Sequence, residues 1–352
     1  MKILIVKLSS IGDIVSALPA ISDAAFAYQN LQIHWLIDEN LADIPSWHFA
    51  VTKIIKIPLQ KNKKHLIKYF FSKNFRIFCK ELRQEKYDYV IDLQGLIKTA
   101  IIARFAKAKY YCGFKFSAVR EPLARLFYNK VATHIENKDK THAISRMREL
   151  LAFILKYSFQ KKKIYYGIYS NKSIVKDKYI IFLHGTSCAK KKWSLHNWTK
   201  LTSLILMQLP YIKKIKVFYH NDEELYIVQQ LQKKYNIIEI IPPLSLTDTL
   251  PIIENATAII GVDTGFSHIA SAVCSNPIIT LYATTFAHLC GGIGKYQIHL
   301  IADKPEIIKA RNKNLKKNKS NTNVDINQMS AIDANSVIEA LRLLFDKIKF
   351  KL

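Results

Sequence analysis

The chain opens MKILIVKLSSIGDI, and this stretch narrows the possible folds more than any other. Ile3 to Val6 is a short apolar run, suited to a strand covered on both faces of a parallel sheet. After Lys7 comes a small polar turn, Ser9-Ser10-Ile11-Gly12-Asp13, and from Ile14 the apolar spacing is helical. Strand, tight turn and helix start form the opening unit of a doubly wound α/β domain, where ligands bind beyond the carboxyl ends of the strands. Gly12 permits close backbone approach, and amides at a helix start favour an anion. Asp13 separates this turn from a dinucleotide loop. Its carboxylate would repel a pyrophosphate but can accept a proton from a sugar hydroxyl. Aspartate is also common in a first helical turn, and on this stretch alone the capping role is the stronger reading.

The strand–helix alternation continues. Ile14, Ala17, Leu18, Ile21 and Ala25 share one helical face, which Pro19 kinks or splits. Gln32 to Ile37, Lys53 to Ile57 and Tyr87 to Leu93 read as strands, the last ending in Gln94-Gly95. Arg120-Glu121-Pro122 opens a helix, and His142 to Lys156 forms another that carries Arg146 and Arg148. Between Phe159 and Lys178 the periodicity lapses into KKKIYYGIYSNKSIVKDK, the best domain boundary. Strands resume at Tyr179 to Leu183, Ile215 to Tyr219, Ile237 to Ile241, Ala258 to Val262 and Pro277 to Tyr282. The expected organisation is a Rossmann-like domain over 1–165, a second over 166–333, and a closing segment over 334–352 with a helix at Ala334 to Lys347 that can pack back on the first. Polar residues follow the strands of both domains, which places a cleft between them.

With 352 residues, 49% of them hydrophobic, the chain can bury two cores. No run reaches the eighteen or so apolar residues of a membrane span, and Lys2 leads straight into a strand, without a signal-peptide layout. A cytoplasmic location is expected. Cys79, Cys112, Cys188, Cys274 and Cys290 include no CxxC pair, so neither disulfides nor a zinc site are indicated. The formal charge of +26 attracts polyanions: nucleic acid, an anionic membrane or phosphorylated substrates. No nucleic-acid motif accompanies it, and in a chain rich in Ile and Asn part of the lysine excess is also explained by neutral drift. The charge is clustered, however. Lys53 to Lys86 holds eleven Lys or Arg against Glu81 and Glu85, with Phe70, Phe71, Phe75 and Phe78 interleaved. That segment is either an amphipathic helix with a solvated basic face or a lip for a bilayer or phosphates.

In the second half, Gly261 to His268 (GVDTGFSH) follows a strand and opens a helix. Asp263, Thr264 and Gly265 make a turn whose amides suit a diphosphate, and Thr264 and Ser267 can add hydroxyl donors. His268 can cap a phosphate or simply bond the loop. Thr186 and Ser187 follow the first strand of this half, and the Lys190-Lys191-Lys192 triplet is either solvated surface or a source of charge for a leaving diphosphate. Asp222, Glu223 and Glu224 open a helix, where a carboxylate either receives ribose hydroxyls or complements the helix start.

KLSSIGDIVSALPA, IPSWH, DLQGLIKTA, REPLARLFYN, KKW with its later HNW, VDTGFSHIAS and GGIGK occur in order across nearly the whole chain. Together they resemble the lipopolysaccharide heptosyltransferases of glycosyltransferase family 9, and SSIGD, IPSWH and REPLARLFYN resemble its heptosyltransferase I branch most. The resemblance implies a GT-B fold and an inverting transfer of L-glycero-D-manno-heptose from ADP-heptose to a Kdo residue of Kdo-lipid A. The setting would be the anionic cytoplasmic face of the inner membrane. It implies Asp13 as general base, with Thr186, Ser187, Lys191, Glu224, Asp263, Thr264, Gly265 and His268 at the donor; Glu223 lies one register from Glu224. Ser9, Ser10, Gly12, Lys61, Lys63, Lys64, Gln94 and Arg120 would meet the acceptor. No metal, cofactor or nucleic acid is implied, and a monomer is expected. Two features depart from the family pattern: Ala283-Thr284-Thr285-Phe286 replaces a Gly-Pro-Thr-type turn, and the lysine-rich stretch from Lys304 to Lys319 is long. Alternatives are a GT-B transferase with another donor or acceptor, a nucleotide-binding regulator without catalysis, and a basic nucleic-acid-binding protein.

Overall fold

The computed structural model describes residues 1–59, 61, 66–133, 135, 139–169, 178–302 and 328–348. The chain divides into two compact units, Met1–Tyr169 and Ser170–Leu352. Lys63, Lys64 and the Lys304 to Lys319 stretch lie outside the described residues.

The first unit holds a parallel six-stranded sheet: β1 Lys2–Val6, β2 Gln32–Asp38, β3 Val51–Ile57, β4 Lys86–Asp92, β5 Lys107–Phe114 and β6 Lys130–Ala132. Its order is β3-β2-β1-β4-β5-β6, the doubly wound arrangement in which strand order reverses between β1 and β4. Ile3, Leu4, Ile5 and Val6 are wholly buried because helices cover both faces, as their unbroken apolar run requires. The helices are α1 Ile11–Val15, α2 Leu18–Ala27, α3 Asp43–Ser46, α4 Leu66–Phe70, α5 Lys73–Leu82, α6 Ile97–Ala103 and α7 Ala143–Leu155. Pro19 splits the first helical stretch and sits in the first turn of α2, where its missing N–H costs nothing. The segment opened by Pro122 is a 3-10 helix, Pro122–Phe127.

The second unit repeats the plan. β7 Tyr179–Leu183, β8 Lys214–Phe218, β9 Ile238–Ile241, β10 Ala258–Val262, β11 Ile278–Tyr282 and β12 Gln297–Ile301 are parallel in the order β12-β11-β10-β7-β8-β9. Counted from β7 this is the order of the first sheet, reversing between β7 and β10. Its helices are α8 Leu195–Gln208, α9 Asp222–Lys234, α10 Leu246–Glu254, α11 Gly265–Val273, α12 Ala287–Cys290 and α13 Ala334–Lys347. The closing helix α13 falls within this unit. Val337, Ile338, Leu341, Leu344 and Phe345 join the core formed with Trp193, Trp198 and Ile205, and the Trp193 indole N–H donates to Ile332 O at 2.8 Å. Each such side chain contributes about 1.5–3 kcal/mol on burial, enough to hold the helix there.

Residues 166–169 stay with the first unit, four residues beyond the expected boundary. The Phe49 N–H donates to Gly167 O and the Tyr169 N–H to Trp47 O. The IPSWH motif explains this clasp: buried His48 bonds Ser22 Oγ at 2.9 Å and lies where a Cβ on Gly167 would stand. Three strands, β5, β6 and β12, escape the sequence pattern. The first half of β5 alternates exposed Lys with half-buried Ala and Tyr, β6 has three residues, and β12 is a half-buried edge.

Candidate active site

In the first unit the site lies where sheet order reverses, beyond the carboxyl ends of β1 and β4. Lys7 leaves β1 with only 5% of its side chain exposed, and its Nζ stands 3.7 Å from Asp13 Oδ1 and 3.5 Å from Leu93 O. Ser9 and Ser10, joined by a cis peptide, carry the chain into α1. The Ser10 N–H and hydroxyl both donate to Asp13 Oδ2, at 3.3 and 3.1 Å. Asp13 therefore does cap α1, through one oxygen, while Oδ1 faces Lys7 and 38% of the side chain remains exposed. The capping role and a proton-accepting role are compatible, because a carboxylate has lone pairs for both. Burial pushes the Asp13 carboxyl up, but Lys7, the Ser10 N–H and Arg120 outweigh it and hold it below its ordinary value of 3.8. Burial pushes Lys7 down from 10.5; Asp13 and Asp92 oppose this, and Arg120 and Arg146 reinforce it.

A buried carboxylate missed by the sequence reading holds this turn. Asp92, the last residue of β4, accepts the Gln94 and Gly95 N–H groups on Oδ1, and the Thr99 and Tyr128 hydroxyls on Oδ2, at 2.7–3.0 Å. Burial raises its pKa, and these four donors oppose the rise. Gln94, so placed, accepts the Leu8 N–H at 2.7 Å and the Ser9 N–H at 3.3 Å, and its amide donates to Ser9 Oγ. Gln94 is thus buried and committed to shaping the Asp13 turn, so contact with an acceptor is not its evident task. REPLARLFYN frames the same place: Glu121 accepts the Ile97 N–H at 2.7 Å, Tyr128 serves Asp92, and exposed Arg120 acts electrostatically on Asp13. Arg148 is structural, forked onto Asp23 at 2.6 and 3.1 Å. Lys61 is exposed and pairs with Glu39 at 2.6 Å. An aspartate ending an apolar strand just before Leu-Gln-Gly was the available sign of Asp92.

The second unit gathers its polar cluster at its own reversal point, after β7 and β10. Lys191 Nζ meets Asp263 Oδ2 at 2.5 Å across 72 residues of sequence. Thr285, in the turn that departs from the family pattern, donates its hydroxyl to the same oxygen. Thr264 and Gly265 start α11 with Thr264 as the half-buried N-cap residue, and its own side chain leaves the cap unused. Ser267 is not available to a ligand: its buried hydroxyl donates to Val262 O at 2.7 Å. His268 follows on the first turn of α11, half-buried. Glu224 is buried, its Oε2 accepting the His220 N–H at 2.9 Å, whereas Glu223 points outward to Lys192. Gly185 explains the choice, since a Cβ there would stand 2.6 Å from Glu224 Oε1. Thr186 is half-buried beside this approach and Ser187 is exposed. In GGIGK, Gly292 admits Ser271 of α11, whose Oγ occupies the place of a Cβ.

Two Rossmann-like units of one strand order, each with its polar cluster at the reversal point, have the domain plan of the GT-B fold. The sequence model of Glycosyltransferase family 9 (heptosyltransferase) matches residues 75–320, and the chain belongs to that family. Lipopolysaccharide heptosyltransferase 1 of Salmonella typhimurium is 35% identical over 303 residues, covering 85% of this chain and 93% of that protein. The solved E. coli heptosyltransferase WaaC with ADP superposes with a TM-score of 0.83 at 31% identity, over 98% of this chain and 100% of that one. WaaC with ADP-2-deoxy-2-fluoro heptose gives 0.80 at 30% identity, over 97% and 99%.

Proposed function

We propose that this glycosyltransferase moves L-glycero-D-manno-heptose from ADP-heptose to a Kdo residue of Kdo-lipid A, with inversion. The named relative and the WaaC complexes with ADP and an ADP-heptose analogue support the donor and the sugar; the family resemblance supports the acceptor. The acceptor hydroxyl attacks the anomeric carbon opposite the departing diphosphate, through an oxocarbenium-like state. Asp13 takes the hydroxyl proton. A carboxylate held below its ordinary pKa is a weak base for an alcohol, so the transfer comes late, once the attacking oxygen has become acidic. Lys191 and the Thr264 and Gly265 amides meet charge growing on the diphosphate, Thr186, Ser187 and His268 flank it, and Glu224 receives the ribose hydroxyls.

Ser9, Ser10, Gly12 and Arg120 face the acceptor, with Lys61, Lys63 and Lys64 as its basic lip. In this reading the enzyme attaches peripherally to the cytoplasmic face of the inner membrane and acts as a monomer; among the described residues no helix is long and apolar enough to cross a membrane. The observation that carries the chemistry is Asp13, a half-exposed carboxylate kept ionised by a buried lysine. Mass spectrometry of the product from purified enzyme, ADP-heptose and Kdo-lipid A tests the proposal. Asp13→Asn is expected to retain ADP-heptose binding and to lose about two to four orders of magnitude in turnover. Equal turnover with unrelated sugar nucleotides would assign a different donor, and near-normal Asp13→Asn turnover would leave Asp13 a cap alone.

A further inference from the structure

The chemistry above leaves one large feature of the first unit unused. α5 and α6 cover the same face of the sheet, sharing one core through Phe75, Phe78 and Leu82 on one side and Ile102 and Ala103 on the other. Among the described residues, an open groove of about 1380 Å³ runs between them. It extends from Leu96 and Ile97, beside the β4 turn, to Gln84 and Lys107 at the amino-terminal ends of β4 and β5. Its lining is mostly apolar: buried Phe75 meets Phe105 edge to face with centroids 5.2 Å apart, and Ile97 and Ile101 line it from α6. Phe71 is 78% exposed and Ile101 37%. Large apolar side chains along one concave surface rimmed by polar residues suit an apolar occupant.

The groove is also strongly cationic. Arg76, Lys80 and Arg83 border it from the α5 side, and Lys98 and Lys107 from the other. Its one acid, Glu121, is engaged by the Ile97 N–H. Apolar lining with cations along both edges matches an anionic amphiphile. A soluble polyanion would leave Phe71 and Ile101 in water. The cations follow the whole length of the groove, including the end that leads away from the Asp13 turn. That spread suits a field of headgroups better than the fixed phosphates of one substrate.

We propose that this groove docks the enzyme on the bilayer, taking an acyl chain of an anionic phospholipid while the flanking Arg and Lys meet headgroup phosphates. The inference rests on the reading that the acceptor is a membrane lipid, and adds which face meets the membrane. Each methylene the groove buries strengthens binding by about fourfold, so a short length of chain suffices once the charges have drawn the protein to the surface.

The test uses the full-length enzyme with phosphatidylcholine vesicles containing phosphatidylglycerol that carries a photoreactive acyl chain. Peptide mapping is expected to find label within 70–84 and 96–107. Ile101→Glu is expected to weaken vesicle binding by about tenfold. It should leave the thermal midpoint unchanged, as well as heptose transfer to a fully deacylated, water-soluble acceptor. Label elsewhere on the chain, or undiminished vesicle binding by Ile101→Glu, overturns the proposal. So does loss of binding only in an Arg76→Gln, Lys80→Gln, Arg83→Gln triple variant, since that would be bulk charge. If wild-type enzyme transfers no heptose but is labelled in the groove, the catalytic reading fails and the lipid site stands.

Discussion

Replacing Lys7 with methionine asks how Asp13 stays ionised in a partly desolvated turn. Methionine fills much the same volume, and Ser10 still holds Oδ2, so the carboxylate keeps its place while losing its charge partner. At 3.7 Å the attraction is about 4 kcal/mol for an effective dielectric near 20. More than a third of the Asp13 side chain is exposed, so screening reduces this to about 2 kcal/mol. The sign follows from the opposing effects: Lys7 favours the ionised carboxylate and burial the protonated one, so its removal raises the Asp13 pKa. The acid limb of the pH–rate profile, measured in single turnovers, should therefore move to higher pH. Activity is lost on the acid side, and the alkaline plateau changes less. Lys7→Arg should restore the wild-type limb. An unmoved acid limb with a lowered plateau would refute the coupling and assign Lys7 to packing alone.

In the second unit, Lys191→Ala is expected to weaken ADP binding by about tenfold in calorimetry, and Lys190→Ala or Lys192→Ala much less; Lys192 is engaged at the surface by Glu223. Asp92→Ala leaves four donors without their acceptor and should lower stability in urea titration by about 3 kcal/mol or more. Where the variant stays folded, turnover should fall with ADP affinity intact. Burial depresses His48 to about 4, so the unfolded chain binds a proton the fold refuses. Stability should fall as pH drops from about 6.5 to about 4, by up to about 3 kcal/mol, and His48→Gln should flatten that dependence in urea titrations across this range.

Local patterning determined much of this protein. The runs at β1, β7 and β10 are apolar without interruption because both faces of those strands are covered, and burial on two faces is written in consecutive residues. Turns that follow such strands lie at the carboxyl edge of a parallel sheet, which is why Asp13, Thr186 and Asp263 stood out as candidates before any contact was known. Pro19 announced its break for the same local reason.

Tertiary structure decided the pairings. The KKW register singles out Lys191 only by resemblance; the physical distinction from its neighbours is Asp263, brought beside it by the pairing of β7 with β10. Glu223 and Glu224 have the same chemistry; the space left at Gly185 and the His220 N–H keep Glu224 inward, while Glu223 pairs with Lys192. Ser267 and Gln94 resemble ligand donors in sequence but are occupied by Val262 O and by the Leu8 and Ser9 amides. Asp92 and Tyr128, 36 residues apart, become one network through the neighbouring strands β4 and β5. Periodicity is a property of neighbours along the chain, whereas a hydrogen-bond partner is set by strand order, which periodicity does not encode.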